Sequence, residues 1–547
     1  MKRALALASW MVLATPSALA QTALDRADPT LIQRTLPPPA VTPHEGTPSI
    51  AAPVAPTSAA APVTGIVRAI TVDGQDRLPP ATFADAIAPR LGIAMSQPDL
   101  AALAGAVAQI ARDRGYPFAT AQVPAQSMAG GILHVTLDLG RIDAVRIVGA
   151  RSVAADRVLA AALVTGGPLR RADLERALLL VGDMPGLRVT GSRLVRQDGF
   201  GILLVTVEAD RRSAYVQIDN RGSDEVGPVR STLIATAREV AQSGDEVTLI
   251  ASQTPLQPSE FVFVRARYAA PLDARGTIAT VSGSIARSRP GGSLAPLKVE
   301  GNSADAAIGV QHPLLRTRAR SLWLGGELRA IGTDQYLLGS SLRRDRLVTL
   351  SGTLTGAAML AGGAARAELT TNVGLPVGAV TRAGSPLASR SDGDARFATL
   401  SFAADWTTSL GKPFSLVVAG AGQLASRPLL AVAEIGLGGP AFGRGYDYAE
   451  RTGDQGVLGA VELRADIGRL PGGIVDRTQL YGFVDGGTVG NLRGGEGGGS
   501  LMSTGMGARI GTGRFDWLVE VALPVTDARF DTGDHSPRIS LRLARAF

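Results

Sequence analysis

The chain has 547 residues, no cysteine, and 55 basic against 48 acidic side chains, for a formal charge of +7. The basic excess is thin for this length and no block of Lys or Arg stands out, which argues against nucleic-acid binding. The length allows several domains or one large barrel with appendages, and a lack of cysteine suits an oxidising compartment where stray disulfides would form.

Residues 1–20 read as an export signal. Lys2 and Arg3 form its basic start, Ala4 to Ala14 its apolar core, and Ala18-Leu19-Ala20 a small-residue cleavage site. Beyond it, no uncharged apolar run approaches the roughly 18 residues that a membrane helix needs. Residues 21–36 are expected to hold a short helix, with Asp28 as N-cap and Pro29 in the first turn. From Pro37 to Thr64 the chain is mostly Pro, Ala, Thr and Ser and reads as an extended linker.

Residues 65–139 read as a small α/β unit. A strand is predicted from Ile66 to Val72 and a helix from near Pro80. A second helix covers Pro98 to Arg114, with Leu100, Leu103, Val107, Ile110 and Ala111 on one face and Gly115 stopping it. Strands follow at Ala119 to Val123 and Gly131 to Leu139. Residues 140–210 repeat the order: strand Arg141 to Val148, helices Ala154 to Leu163 and Arg170 to Val181, strands Leu187 to Leu194 and Gly201 to Glu208. Two such β-α-α-β-β copies, each about 70 residues long, form a tandem array. An open edge on either small sheet would accept an extended peptide as an added strand.

From residue 211 to 547 the period is two. Val262, Val264, Ala266 and Tyr268 oppose Phe261, Phe263, Arg265 and Arg267; Leu322, Leu324 and Leu328 oppose Trp323, Glu327 and Arg329; Trp517, Val519, Val521 and Leu523 oppose Asp516 and Glu520. One greasy face and one charged face suit a wall between lipid and water. At about 20 residues per strand and turn, the region holds about 16 strands, an even number as expected of such a barrel. The fold class is therefore an all-β transmembrane barrel preceded by two small α/β domains.

Within it, a glycine-rich loop carries Arg444, Gly445 and Tyr446. A strand with Val457, Val461 and Leu463 on one face and Glu462, Arg464 and Asp466 on the other follows, then a second strand bearing Phe483, Asp485 and Gly487 on one face. Guanidinium binds carboxylate through parallel hydrogen bonds, so Arg444 and Asp485 are suitable partners. The four histidines, His44, His134, His312 and His535, have no metal-ligand spacing. The glycine runs at 436–439 and 494–499 lack the Lys-Ser/Thr of a phosphate loop, and no nucleophile elbow or zinc-protease motif is present. No enzyme and no cofactor are indicated.

Gly443-Arg444-Gly445-Tyr446 resembles the Arg-Gly-Tyr/Phe tip of the sixth extracellular loop in the superfamily of outer-membrane assembly factors and two-partner secretion transporters. Phe483-Val484-Asp485-Gly486-Gly487 resembles the Phe-x-Asp-x-Gly strand motif of the same proteins, and Asp219-Asn220-Arg221-Gly222 the end of their first barrel strand. The tip departs from the pattern in having Gly443 where Val or Ile is usual. The tandem units resemble POTRA domains, through Gly115-Tyr116, Val123-Pro124 and Gly140-Arg141-Ile142. The chain end resembles the terminal signature of outer-membrane barrels, with Ile539, Leu541, Leu543 and Phe547 on one face, interrupted by Arg545.

Together these features are similar to the ShlB/FhaC/HecB family. The resemblance implies that the loop folds into the lumen and that Arg444 meets Asp485 on the wall. It implies a large secreted exoprotein, such as a haemolysin or adhesin, recognised by the POTRA units in the periplasm and passed through the barrel. Outer-membrane lipid, the barrel-assembly machinery and a monomeric barrel are implied as well. In the family an N-terminal helix plugs the barrel; here residues 21–36 would span about 24 Å if wholly helical, and Pro29 shortens that. A barrel-assembly factor and a passive porin or receptor are the rival readings.

Overall fold

The computed structural model describes residues 49–51 and 65–547, apart from positions 75, 128, 199 and 496. The expected signal at 1–20, the helix at 21–36 and all of the Pro-rich linker except 49–51 lie outside the described residues. Residues 49–51 correct the linker reading: Ser49–Ala51 is a strand, β1.

The first unit contains β2 (Ala69–Asp73), helix α1 (Gln97–Asp113), β3 (Thr120–Gln122) and β4 (Ile132–Asp138). Its sheet runs β2-β4-β3, with β2 parallel and β3 antiparallel to β4. Pro98 occupies the first turn of α1, where its missing N–H costs nothing. Leu100, Leu103, Val107 and Ala111 face the sheet, where they pack with Leu133, Val135 and Leu137. Gly115, at φ +98°, takes the left-handed conformation that ends the helix.

The second unit contains β5 (Ala144–Gly149), α2 (Val153–Leu163), α3 (Arg171–Gly182), β6 (Leu187–Gln197) and β7 (Phe200–Ala209). Its sheet order is β1-β6-β7-β5, so the leader strand is its fourth member. Phe118, from the first unit, is fully buried in the core of the second, and Arg196 pairs with Asp138 at 2.6 Å. The two units are therefore packed together rather than loosely strung.

The sixteen remaining long strands form a closed barrel. They are β8 (Arg212–Asp219), β9 (Arg230–Arg238), β10 (Glu246–Gln253), β11 (Phe261–Pro271), β12 (Ile278–Ser288), β13 (Glu300–Arg316), β14 (Arg320–Leu337), β15 (Ser340–Leu360), β16 (Gly363–Gly374), β17 (Ala398–Gly411), β18 (Phe414–Ala425), β21 (Gln455–Gly468), β22 (Arg477–Gly490), β23 (Gly499–Thr512), β24 (Phe515–Pro524) and β25 (Arg538–Ala546). The short β19 (Ile435–Leu437) and β20 (Arg451–Gly453) pair with each other inside the loop between β18 and β21. Closure is made by β25 against β8, from Arg542 opposite Asp219 to Ala546 opposite Tyr215.

Residues such as Val262, Val281, Ile308, Leu350, Val461 and Val519 point outward and are exposed to the bilayer side, while Thr248, Ser284, Asp305, Thr333 and Asp485 on the opposite face are buried. A one-residue slip in any strand would exchange these sets, so the two-faced pattern fixes the register.

The second unit docks on the turns at the near end of the barrel. Arg316, at the end of β13, grips Asp183 with two hydrogen bonds of 2.6 and 2.7 Å. Arg318 approaches Glu175 at 3.4 Å. Ser243, in the β9–β10 turn, accepts from the Ala154 N–H at 3.1 Å and lies 3.2 Å from the hydroxyl of Ser152, the residue that caps α2. Gly276 carries no side chain because a Cβ there would fall 2.8 Å from Leu180.

Candidate functional site

The loop between β18 and β21, residues 426–454, turns into the lumen. Gly438, Gly439 and Gly443 have φ of +111°, +99° and +80°, values open to glycine, and these bends aim the tip at the inner wall. At the tip the Gly443 and Arg444 N–H groups donate to Asp485 Oδ1 at 3.0 and 3.2 Å, and the Ser503 hydroxyl donates to the same oxygen. Arg444 Nε lies 2.9 Å from Asp485 Oδ2, an ion contact without hydrogen-bond alignment. Its Nη1 donates to Glu462 Oε2 at 2.8 Å and to Glu520 Oε2 at 3.2 Å. The guanidinium carbon sits 4.0 Å from the centre of the Phe483 ring.

Three carboxylates from β21, β22 and β24 thus converge on one guanidinium. Two glycines of β23 make this possible. Gly505 faces Phe483 and Gly507 faces Tyr481 across the ladder; a Cβ at 505 would fall 2.7 Å from the Phe483 ring, and one at 507 would overlap the Tyr481 phenol. The aromatic rings of β22 lie in the space these glycines leave. Tyr481 then reaches Glu520 with a 2.8 Å hydrogen bond, and Arg509 lies 4.1 Å over the Tyr481 ring.

The other partners of the carboxylates are wall arginines. Glu462 Oε1 accepts from Arg464 at 2.6 Å and from Arg509 at 2.9 Å. Glu520 Oε1 accepts from Arg221 at 3.1 Å. Asp485 has no cation but Arg444 among the described ion pairs. A cavity of about 350 Å3 opens beside the tip, lined in part by Arg221, Phe442, Arg444, Glu462, Arg509 and Glu520.

Gly445 sits against the backbone of the wall: a Cβ there would fall 2.9 Å from Pro524 N and 3.1 Å from Ser503 Cβ. Tyr446 is fully buried with Leu437, Leu458, Val489 and Leu501, and its hydroxyl lies 3.0 Å from Asp527 O and 3.3 Å from Met502 O. Gly487 leaves room for Leu458 of this cluster, whose Cδ2 would be 2.7 Å from a Cβ at 487. Farther out, Arg451 pairs with Asp527 at 2.8 Å, and Glu450 accepts from the Phe530 N–H at 2.9 Å. Phe547 stands apart from the tip; its N–H donates to Ala214 O at 2.8 Å, and the Arg545 guanidinium lies 4.4 Å over its ring. Sequence reasoning placed Glu462 and Glu520 on the charged faces of their strands but did not bring them to Arg444. The absence of side chains at 505 and 507 was the available signal.

A second knot lies at the far end of the barrel. Arg390, in the loop 375–397, is buried and donates to Asp454 at 2.9 Å, Glu434 at 3.2 Å and Leu492 O at 2.7 Å. Leu429, Leu430, Val432, Ala395, Phe397 and Leu347 pack beside it. This knot was not anticipated from the sequence.

The family model for haemolysin secretion/activation proteins of the ShlB/FhaC/HecB type matches residues 200–510. The chain belongs to this family. A second model, the ShlB-type POTRA domain, matches residues 66–139. The molecule is thus an outer-membrane β-barrel preceded by a periplasmic POTRA region. Among curated proteins, the heme/hemopexin transporter protein HuxB of Haemophilus influenzae strain 86-028NP is 25% identical over 236 residues, 42% of this chain and 41% of its own length. The match therefore spans about two-fifths of that relative. CdiB from Escherichia coli has a similar fold, with a TM-score of 0.69 at 20% identity over 98% of this chain and 100% of the other. CdiB from Acinetobacter baumannii gives 0.63 at 17% identity over 97% and 99%.

Proposed function

We propose that this family member is the transporter of a two-partner secretion pair. It recognises a large unfolded exoprotein in the periplasm through two POTRA units, residues 65–139 and 140–210, and passes it through the barrel, residues 211–547. The observation that carries the reading is the arginine-tipped loop held inside a closed barrel whose periplasmic turns are docked on an α/β unit. Arg444, Gly445, Tyr446, Phe483, Asp485 and Gly487 hold the loop in the resting position, and Phe547 ends the strand that seals the wall. The client is of haemolysin or adhesin type, the barrel is a monomer in outer-membrane lipid, and the barrel-assembly machinery inserts it. No catalytic step is involved. Ordering of the client as it folds outside supplies direction, since a state consumed on one side draws the equilibrium that way.

The test is production of this chain with a candidate client, a large repetitive secreted protein sought in the neighbouring reading frame. The client should reach the medium only when the chain is present. Equal export without it would refute the reading, and a general loss of other outer-membrane barrels on its depletion would point to an assembly factor instead.

A further inference from the structure

Arg545 points outward, on the apolar face of the wall. In the β24–β25 ladder Phe515 lies opposite Arg545 and Trp517 opposite Leu543. Arg545 therefore shares its face with Trp517, Leu541 and Ile539, all exposed on the bilayer side. Its level is the inner end of that face. β25 runs toward the rim on which the second unit docks, and there Phe547 and Ala214 exchange backbone hydrogen bonds of 2.8 and 3.4 Å. A charge at the boundary of the apolar band costs little, whereas at the midplane it destabilises a barrel.

The guanidinium is held in place. Its carbon lies 4.9 Å from the centre of the Phe515 ring and 4.4 Å from that of Phe547. Nε is covered and has no acceptor, which leaves the two Nη groups as the donors that can reach one. Among the described ion pairs Arg545 has no anion. Acidic groups of the neighbouring strand ends are already taken: Asp516 pairs with Arg477 at 2.6 Å, Asp476 with Arg469 at 3.0 Å and Asp210 with Arg238 at 3.8 Å. Two more guanidiniums flank the spot. Arg212 lies two residues beyond Ala214 on the same face of β8, and Arg514 lies in the turn just before Phe515. Both are exposed and have no partner among the described ion pairs.

We propose that Arg545 binds the phosphate of an anionic phospholipid in the periplasm-facing leaflet, with the rings of Phe515 and Phe547 bracing it and Arg212 and Arg514 drawing the negative headgroup. A guanidinium presents a planar fork of N–H donors that fits phosphate oxygens. Lipid phosphates lie at the level where the apolar band ends, which is the level of Arg545. Three uncompensated cations favour a headgroup of net negative charge over a zwitterionic one. The lipid touches β24, β25 and β8 together. These strands lie on both sides of the closing ladder, which is only five residue pairs long. Nothing in this site depends on what the barrel carries.

The test is native mass spectrometry of the full chain, folded in detergent and checked by heat-modifiable mobility. Short-chain phosphatidylglycerol, phosphatidylethanolamine and inorganic phosphate are added in turn at one concentration. The wild-type chain should retain phosphatidylglycerol more than phosphatidylethanolamine, and inorganic phosphate should displace neither. Arg545→Gln should weaken phosphatidylglycerol retention about ten- to a hundredfold, as expected for loss of a charge-assisted contact. Arg212→Gln with Arg514→Gln should bring phosphatidylglycerol down to the level of phosphatidylethanolamine. If Arg545→Gln does not fold, Arg545→Lys serves, since a point charge cannot lie flat between two rings; it should retain less lipid than the wild type. Equal phosphatidylglycerol retention by the wild type and the folded Arg545 variant would overturn the site. Displacement of lipid by inorganic phosphate would overturn it as a lipid site and show a free-anion site instead. An unchanged preference in the variant lacking Arg212 and Arg514 would overturn the selection of an anionic headgroup.

Discussion

Arg444→Ala removes the cation on which three wall carboxylates converge, and the geometry indicates how unequal the loss is. Glu462 retains Arg464 and Arg509 at 2.6 and 2.9 Å, and Glu520 retains Arg221 at 3.1 Å. Asp485, 3% exposed, loses its cation and keeps the Ser503 hydroxyl and two backbone N–H groups. The cost is that of one broken buried pair, about 3–5 kcal/mol, not three. The stacking on Phe483 adds about 0.5–2 kcal/mol. Those backbone donors belong to the tip itself, so the loss weakens the hold of the loop by about two and a half to five powers of ten in the ratio of seated to unseated states. Planar-bilayer recordings should show larger or noisier conductance. Secretion should fall while the heat-modifiable mobility of the assembled barrel is unchanged. Arg444→Lys should recover little, because an ammonium cannot span Asp485 and Glu462 while lying flat on Phe483. Unchanged conductance and secretion in Arg444→Ala at normal transporter level would refute the reasoning.

Arg390→Ala should free the loop 375–397 at the far mouth, since Asp454, fully buried, would lose its guanidinium; protease added to intact cells should then cut there faster. Arg316→Ala should loosen the second unit on the barrel, broadening the distance distribution between spin labels at positions 157 and 275, since the two hydrogen bonds to Asp183 are lost. In the same mouth loop, Arg396 holds the Asp394 carboxyl at about 2, below its ordinary 3.8. A depressed carboxylate stabilises the fold fully above its unfolded value and loses that contribution as pH falls through the folded one. Protease access to 375–397 should accordingly be flat from pH 7 down to about 4 and rise only below it.

The barrel was legible because its side chains report which side of a wall they are on. Val262, Leu328 and Val519 meet lipid, while Arg265, Arg329 and Glu520 meet the lumen, and period two carries that directly. Arg444 and Asp485 were legible as a pair because each is a lone charge of opposite sign beside small residues. β1 was hidden, since a window of Pro and Ala has no periodicity and its pairing depends on a strand about 140 residues later. Arg390, Asp183 and Arg316 were hidden for the same reason. A surface charge and a buried charge look alike until distant segments supply the partner, and that choice is made by tertiary packing.

The two knots lie on one loop, which decides what part of it moves. Asp454 fixes the base: it accepts from the Leu429 and Leu492 N–H groups at 2.6 and 2.7 Å as well as from Arg390. β19 and β20 pair just inside that base. The positive-φ glycines 438, 439 and 443 all fall beyond β19, toward the tip. Withdrawal of Arg444 therefore bends the segment between β19 and β20 and leaves the base seated. Arg390→Ala should change surface cleavage with little effect on conductance, and Arg444→Ala the reverse. In the double variant the two effects should add, as they do for sites that share no partner. A conductance in the double variant well above that sum would show the whole loop leaving as one piece, and the glycines would then not be the hinge.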